Sequence, residues 1–177
     1  MIKKIGFLAL LLAMSACSSE EKPPVVHDEP PAKEAEKPFR ADGLICPQVA
    51  ILKNAEEVFD YGREKADPSQ LVAKALMKHV SGDCAYRPNG IDISFTLDMA
   101  SSRGPRLGTQ VSFPYFVAIV DPAENILSRQ LMTAQFKFAG SEKVVETHEP
   151  LHVFIPLTGI ALQAGPDYRV LVGFNNK

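Results

Sequence analysis

From residue 91 to residue 99 the chain reads Ile-Asp-Ile-Ser-Phe-Thr-Leu-Asp-Met, apolar and polar side chains alternating without a fault. Successive side chains of an extended strand point to opposite faces, so such a stretch buries one face and leaves the other in water. The pattern commits the middle of the chain to a β-sheet with a core on one side. Just before it, Pro88-Asn89-Gly90 carries tight-turn chemistry. A strand ending near Tyr86 is therefore expected to fold back as its hairpin partner.

The same reasoning extends towards the C-terminus. "VSFPYFVAIVDP" is apolar on both parities over residues 111–120, which predicts a central strand covered on both faces. Asp121-Pro122-Ala123-Glu124-Asn125 is turn chemistry, residues 126–138 read as another strand, and Gly140-Ser141 turns into a strand within 143–157. The last strand is 168–174, with Tyr168, Val170, Val172 and Phe174 on one face. Short strands with turns at this spacing predict an all-β sandwich or barrel. "LQAGPDYRVLVGF" resembles the approach to strand F of fibronectin type III domains, where a Leu precedes a strand tyrosine by six residues; Leu162 and Tyr168 keep that spacing. The resemblance implies an immunoglobulin/fibronectin III-like β-sandwich of about seven strands, with Tyr168 as a tyrosine corner. The chain departs from it by ending at Lys177, with little room for a strand G. A permuted topology or a different sandwich stays open.

Two segments carry helical signals. Residues 67–80, "DPSQLVAKALMKHV", begin with Asp67 as a candidate N-cap, Pro68 at the first helical position and Gln70 at capping-box spacing. Leu71, Ala73, Ala75 and Met77 also alternate, and the stretch runs straight into the hairpin arm, so it is read as a strand. Residues 54–61 are the better short-helix candidate, with Asn54 and Glu57 at capping spacing.

The N-terminus is different material. Lys3 and Lys4 precede the uncharged run "IGFLALLLAM", too short to span a bilayer as a finished helix, and Ser15-Ala16 lead to Cys17. Residues 1–16 resemble a secretory signal peptide of the bacterial lipoprotein type, with Met14-Ser15-Ala16-Cys17 as the lipobox and Met14 where that pattern usually has Leu. The resemblance implies cleavage after Ala16, a diacylglyceryl group on the Cys17 sulfur and acylation of the new amino terminus. Three acyl chains exceed what stable anchoring needs. In families with this signal the residue after the modified cysteine biases sorting, so the resemblance, with Ser18 there rather than Asp, implies the periplasmic face of the outer membrane over the inner membrane. The segment 17–43 then holds Pro, Glu, Lys and Ala almost to the exclusion of large apolar residues. It cannot bury enough surface to offset its ordering entropy and is expected to be a disordered spacer; His27 within it is solvated. Residues 44–177 are of ordinary size for one domain. Loss of Lys3 and Lys4 takes the formal charge from −2 to about −4. With no basic cluster, that balance argues against nucleic acid.

Two further cysteines, Cys46 and Cys84, most simply pair in an oxidising compartment, closing a loop of about 39 residues worth roughly 4 kcal/mol. Two free thiols or one reactive thiol are the alternatives. "ICPQVAIL" with Cys46, "GDCAY" with Cys84, and Arg103-Gly104-Pro105 followed by Tyr115-Phe116-Val117-Ala118 and Asp121-Pro122 together resemble a family of uncharacterised bacterial lipoproteins. That resemblance implies a shared fold and address, and no activity.

His148-Glu149-x-x-His152 spells a zinc-protease signature. The chemistry needs a helix, and Pro150 inside it would cost a helix about 3 kcal/mol or more. On a strand the two histidines stand about 13 Å apart, beyond the reach of one zinc ion with bonds near 2 Å. They are expected on an outward face beside Glu146 and Phe154. No nucleophile elbow, phosphate loop or dinucleotide glycine run occurs, and His79 needs no role at a strand end. Arg103-Gly104-Pro105-Arg106 is a candidate interaction loop, its bland counterpart being a proline-ordered turn with solvated arginines. The expectation is a non-enzymatic envelope lipoprotein with no cofactor, metal or catalytic residue. It would hold to the membrane through Cys17 and bind or scaffold a periplasmic protein or cell-wall component. A glycan or small-molecule binding module is the alternative.

Overall fold

A computed structural model describes residues 40–41, 44–62, 66–106 and 108–175. Residues 1–39, on which the expected leader, Cys17 and most of the expected spacer fall, lie outside the described residues. Among the described residues ten strands follow in order: β1 (Arg40–Ala41), β2 (Leu44–Ile45), β3 (Gln48–Ile51), β4 (Glu57–Asp60), β5 (Ala73–Arg87), β6 (Gly90–Arg103), β7 (Gln110–Val120), β8 (Ile126–Lys137), β9 (Val144–Pro156) and β10 (Arg169–Phe174). β1 and β2 form a small antiparallel ribbon, so Arg40 and Ala41, within the segment read as spacer, pair with Ile45 and Leu44. The other eight make two four-stranded sheets, β3-β10-β7-β8 and β4-β5-β6-β9, in a β-sandwich-like arrangement. Only the β3–β10 pair is parallel among the described pairings.

The long β5–β6 hairpin grows from the alternation that opened the sequence. Ile91, Ile93, Phe95, Leu97 and Met99 are all buried, and the polar residues between them are not. In β5, Ala73, Ala75 and Met77 face the core; a bulge after Met77 leaves both Lys78 and His79 exposed, and Val80 resumes burial. One extra residue thus re-phases the strand without losing its apolar face. The helical signals before β5 are spent on one turn. Asp67 caps a 3-10 turn at Pro68–Gln70, its Oδ1 accepting from Ser69 N at 2.8 Å, and the chain is extended from Ala73.

The short helix expected at 54–61 is not there. Asn54 takes a left-handed φ of 69°, where a helix N-cap needs an extended one, and residues 57–60 form β4 instead. Val58 packs on the core and the strand pairs with β5, so tertiary burial overrides the capping pattern. β7 also departs in part from expectation. Its odd residues 111–119 are buried throughout, but Ser112 and Pro114 are exposed, and both faces are covered only beyond Phe116. Pro114 is tolerated because the last β10 pair is Phe174 with Tyr115, and at Pro114 that flank uses only the carbonyl, which accepts from Asn175 N–H at 2.9 Å.

The core joins both sheets. Phe113 meets Phe136 and Phe174 edge-on at 6.1 and 6.0 Å between ring centroids, a geometry that adds to plain area burial. Between β9 and β10 the chain winds as a 3-10 segment, Gly159–Asp167. Gly165 is buried there because a Cβ would lie 2.6 Å from both Ile91 Cδ1 and the Tyr86 hydroxyl. Leu162 and Tyr168 pack against the core as partly buried residues.

Candidate functional site

Each chemically suggestive residue is placed by its strand. His148 and His152 lie on the exposed face of β9, an edge strand, which is where a strand tolerates Pro150. His148 Nδ1 is 2.6 Å from Asp98 Oδ1 and His152 Nε2 is 3.3 Å from Asp92 Oδ1. Each histidine thus has its own carboxylate on β6. Glu149, being odd-numbered, points to the inner face. The three letters of the protease signature therefore fall on two sides of one sheet, and no common centre exists for them. Asp92 also pairs with Arg87, and that hydrogen bond holds its carboxyl below the usual range. Among the described residues no group of three or more His, Cys, Asp or Glu is placed to hold a metal ion.

Glu149 instead looks at Tyr115, a fully buried tyrosine. Desolvation first, and then the charge of Glu149, push the Tyr115 hydroxyl up to about 12. Tyr86 is raised as well, by burial. Its hydroxyl donates to Ile45 O at 2.7 Å, a tie across 41 residues of sequence. Cys46 and Cys84 are disulfide-bonded with Cα atoms 5.8 Å apart. The disulfide and the Tyr86 bond fasten the same stretch, residues 45–46, to β5.

The Arg103–Arg106 segment is tied into the domain. The Arg103 guanidinium donates to Gly140 O at 3.0 Å and Phe138 O at 3.3 Å and lies over the Phe138 ring. Gly104 is buried with its N–H on Val72 O at 2.8 Å, and a Cβ there would sit 2.0 Å from Leu71 O. Arg106 donates to Gln70 Oε1 at 3.1 Å. Pro105 and Arg106 remain at the surface.

A concave site lies elsewhere, where no motif pointed. An open cleft of about 900 Å³ is lined by Asn54, Glu56, Glu57, Val58, Phe59 and Asp60 on one side. Ser112, Phe113, Pro114 and Asn175 line the other. It lies where β10 ends: Phe174 is the last residue paired with β7, Asn175 N–H bonds Pro114 O at 2.9 Å, and among the described residues no strand pairs with β7 on that side beyond it. Phe59 stands exposed near its rim, stacked on Tyr61 and with Lys74 Nζ 5.4 Å from the ring centroid; Lys74 also pairs with Glu57. Asp60 Oδ1 accepts from Gly62 N at 2.7 Å. The lining residues come from three separated stretches of sequence, and only the ending of one strand beside another brings them together. A shallower trough of about 380 Å³ crosses the outer face at Gly82, Ser94, Thr96 and Pro150.

Comparison with models of protein families, with curated proteins and with solved structures gave no match.

Proposed function

We propose that this protein is a lipid-anchored binding or scaffolding module of the bacterial cell envelope, held through Cys17 to the periplasmic face of the outer membrane, and not an enzyme. The observation that carries the reading is the Met14-Ser15-Ala16-Cys17 leader followed by a Pro/Glu/Lys-rich spacer, an arrangement suited to holding a domain away from a membrane surface. The disulfide between Cys46 and Cys84 suits an oxidising compartment. The dispersal of His148, Glu149 and His152 over two faces supports the non-enzymatic part. The finer fold assignment, immunoglobulin/fibronectin III-like, belongs to the same reading; two four-stranded sheets support it.

Palmitate labelling of the wild type against Cys17→Ala tests the anchor: label in the wild type and none in the variant is expected. In-cell crosslinking followed by mass spectrometry tests the binding role, and the absence of any specific partner at native expression would overturn it. A glycan or small-molecule binding module is the second reading, favoured by exposed Phe59 beside Asn54 at the cleft. Retention of the protein on purified peptidoglycan, lost on Phe59→Ala, would support it.

A further inference from the structure

β8 lies at the edge of the β3-β10-β7-β8 sheet and runs twelve residues, Ile126–Lys137. Phe138 N–H donates to Thr109 O at 2.9 Å, in line with the pairing of Lys137 with Gln110. In an antiparallel ladder, opposite residues alternate between exchanging both backbone bonds and exchanging none. Even-numbered residues from Ser128 to Phe136 therefore bond to β7. Arg129, Leu131, Thr133, Gln135 and Lys137 turn their N–H and C=O groups to the free side. The bond from Asn175 N–H to Pro114 O gives the same parity from across β7, whose even residues face β10 and odd ones β8. Long edges are commonly blunted by proline or inward charge. β9 carries both, in Pro150, Pro156 and Glu149, whereas β8 has no proline and no acidic residue. Leu131 at its centre is 65% exposed. The Arg129 guanidinium is drawn back from the edge, onto the Phe116 ring and Asn175.

This edge is complementary to itself. Two copies of β8, antiparallel about a two-fold axis centred on one residue, pair odd positions with odd positions. An axis on Arg129 sets that arginine against its own copy, and one on Thr133 sets it against Lys137; like charges directly opposite are destabilising. An axis on Gln130 or Met132 opposes Leu131 to Arg129 or Thr133. Only an axis on Leu131 lays leucine on leucine, with Arg129 opposite Thr133 and Leu127 opposite Gln135. Phe116 already stands opposite Leu131 within the chain, so an apolar row Phe116, Leu131, Leu131, Phe116 then crosses four strands. Lys137, which has no side-chain partner among the described residues, comes level with Asn125 of the second copy, in the turn that carries Asp121 and Glu124. We propose that β8 is an isologous dimer edge: a second copy of this chain adds antiparallel along it, centred on Leu131, and joins the two β3-β10-β7-β8 sheets into one. The contact needs neither the lipid nor an outside partner, so its failure would leave the binding role proposed above untouched, and the reverse holds too.

Cysteine trapping in the full chain at native expression tests the contact. Opposite residues that exchange both bonds have Cα atoms about 5.5 Å apart, within reach of a disulfide. Leu131→Cys should therefore give a dimer on a non-reducing gel. The two copies of Thr133→Cys stand four residues out of register, about 13 Å apart. They should give about tenfold less dimer, and the wild type only background. Thr133→Pro supplies a second readout, because it removes an N–H that the fold leaves unused. Sedimentation equilibrium of the purified full chain should show its dimer dissociation constant raised about tenfold or more, with the far-ultraviolet circular dichroism retained. Trapping at Thr133 equal to that at Leu131 would overturn the register. Equal association of the wild type and Thr133→Pro would overturn strand pairing. A wild type monomeric at every concentration, with no trapping at Leu131, would overturn the dimer. A Leu131→Cys adduct with a different protein, in place of the dimer, would give the edge to another partner and overturn the second copy as its occupant.

Discussion

Tyr115 shows how one side chain can set a limit on stability. It is 1% exposed, and burial together with Glu149 lifts its hydroxyl from 10.0 to about 12. The folded state therefore resists losing a proton that the unfolded chain gives up more readily. The associated stability is fully present below pH 10 and is lost as pH rises towards 12, by up to roughly 3 kcal/mol. Urea unfolding midpoints across that window should fall in the wild type, and fall less in Tyr115→Phe. Gly104 makes a steric counterpart. Its φ is unremarkable, but a Cβ would sit 2.0 Å from Leu71 O, a backbone atom held by Arg106 N–H at 3.1 Å. Gly104→Ala should cost about 2–4 kcal/mol by forcing the β6 end from residues 71–72, which a thermal melt would register. Conformational freedom is not its reason for being glycine; space is.

At the scale of elements, the four sheet edges are guarded unequally. β3 and β4 are four residues each, and β9 carries two prolines and inward Glu149. β8 runs twelve residues with Ile126, Leu127 and Leu131 more than half exposed. Arg129 covers part of that face, lying over Phe116 and bonding Asn175. Leu131 has no such use in the fold. Leu131→Lys should leave the melting midpoint within about 0.5 kcal/mol of the wild type and reduce concentration-dependent association, visible in light scattering. An equal scattering profile would mean that β8 is not the strand through which copies meet.

For the whole folded unit, the decisive brace is the Cys46–Cys84 link. β3 joins its sheet through a short parallel pairing with β10 alone. The disulfide just before it and the Tyr86–Ile45 bond hold the entering chain against the other sheet. Replacing both cysteines by serine should lower stability by roughly 2–4 kcal/mol in a denaturant titration. Deuterium exchange should rise first in residues 44–51. Protection unchanged there would show that the parallel pairing suffices by itself.

Period and turn chemistry are local, and what depends on them was legible in the sequence: the alternation of 91–99, the Pro88-Asn89-Gly90 hairpin, β8, β9 and the last strand. The failure of the zinc motif followed from Pro150 and from the same alternation, since neighbours on a strand cannot share a face. The lipobox and spacer readings rest on equally local signals; Cys17 and residues 18–39 lie outside the described residues, and Arg40 and Ala41 of the expected spacer pair as β1. Residues 54–61 were misread because capping spacing is satisfied by many short polar runs, while the pairing that makes β4 depends on β5 some fifteen residues on. The two-sheet order, the parallel β3–β10 pair, the arginine and glycine ties of 103–106 and the cleft beside β4 belong to tertiary structure alone. Each arises where strands distant in sequence end, cross or fall short of one another, and no local period records where a neighbouring strand will stop.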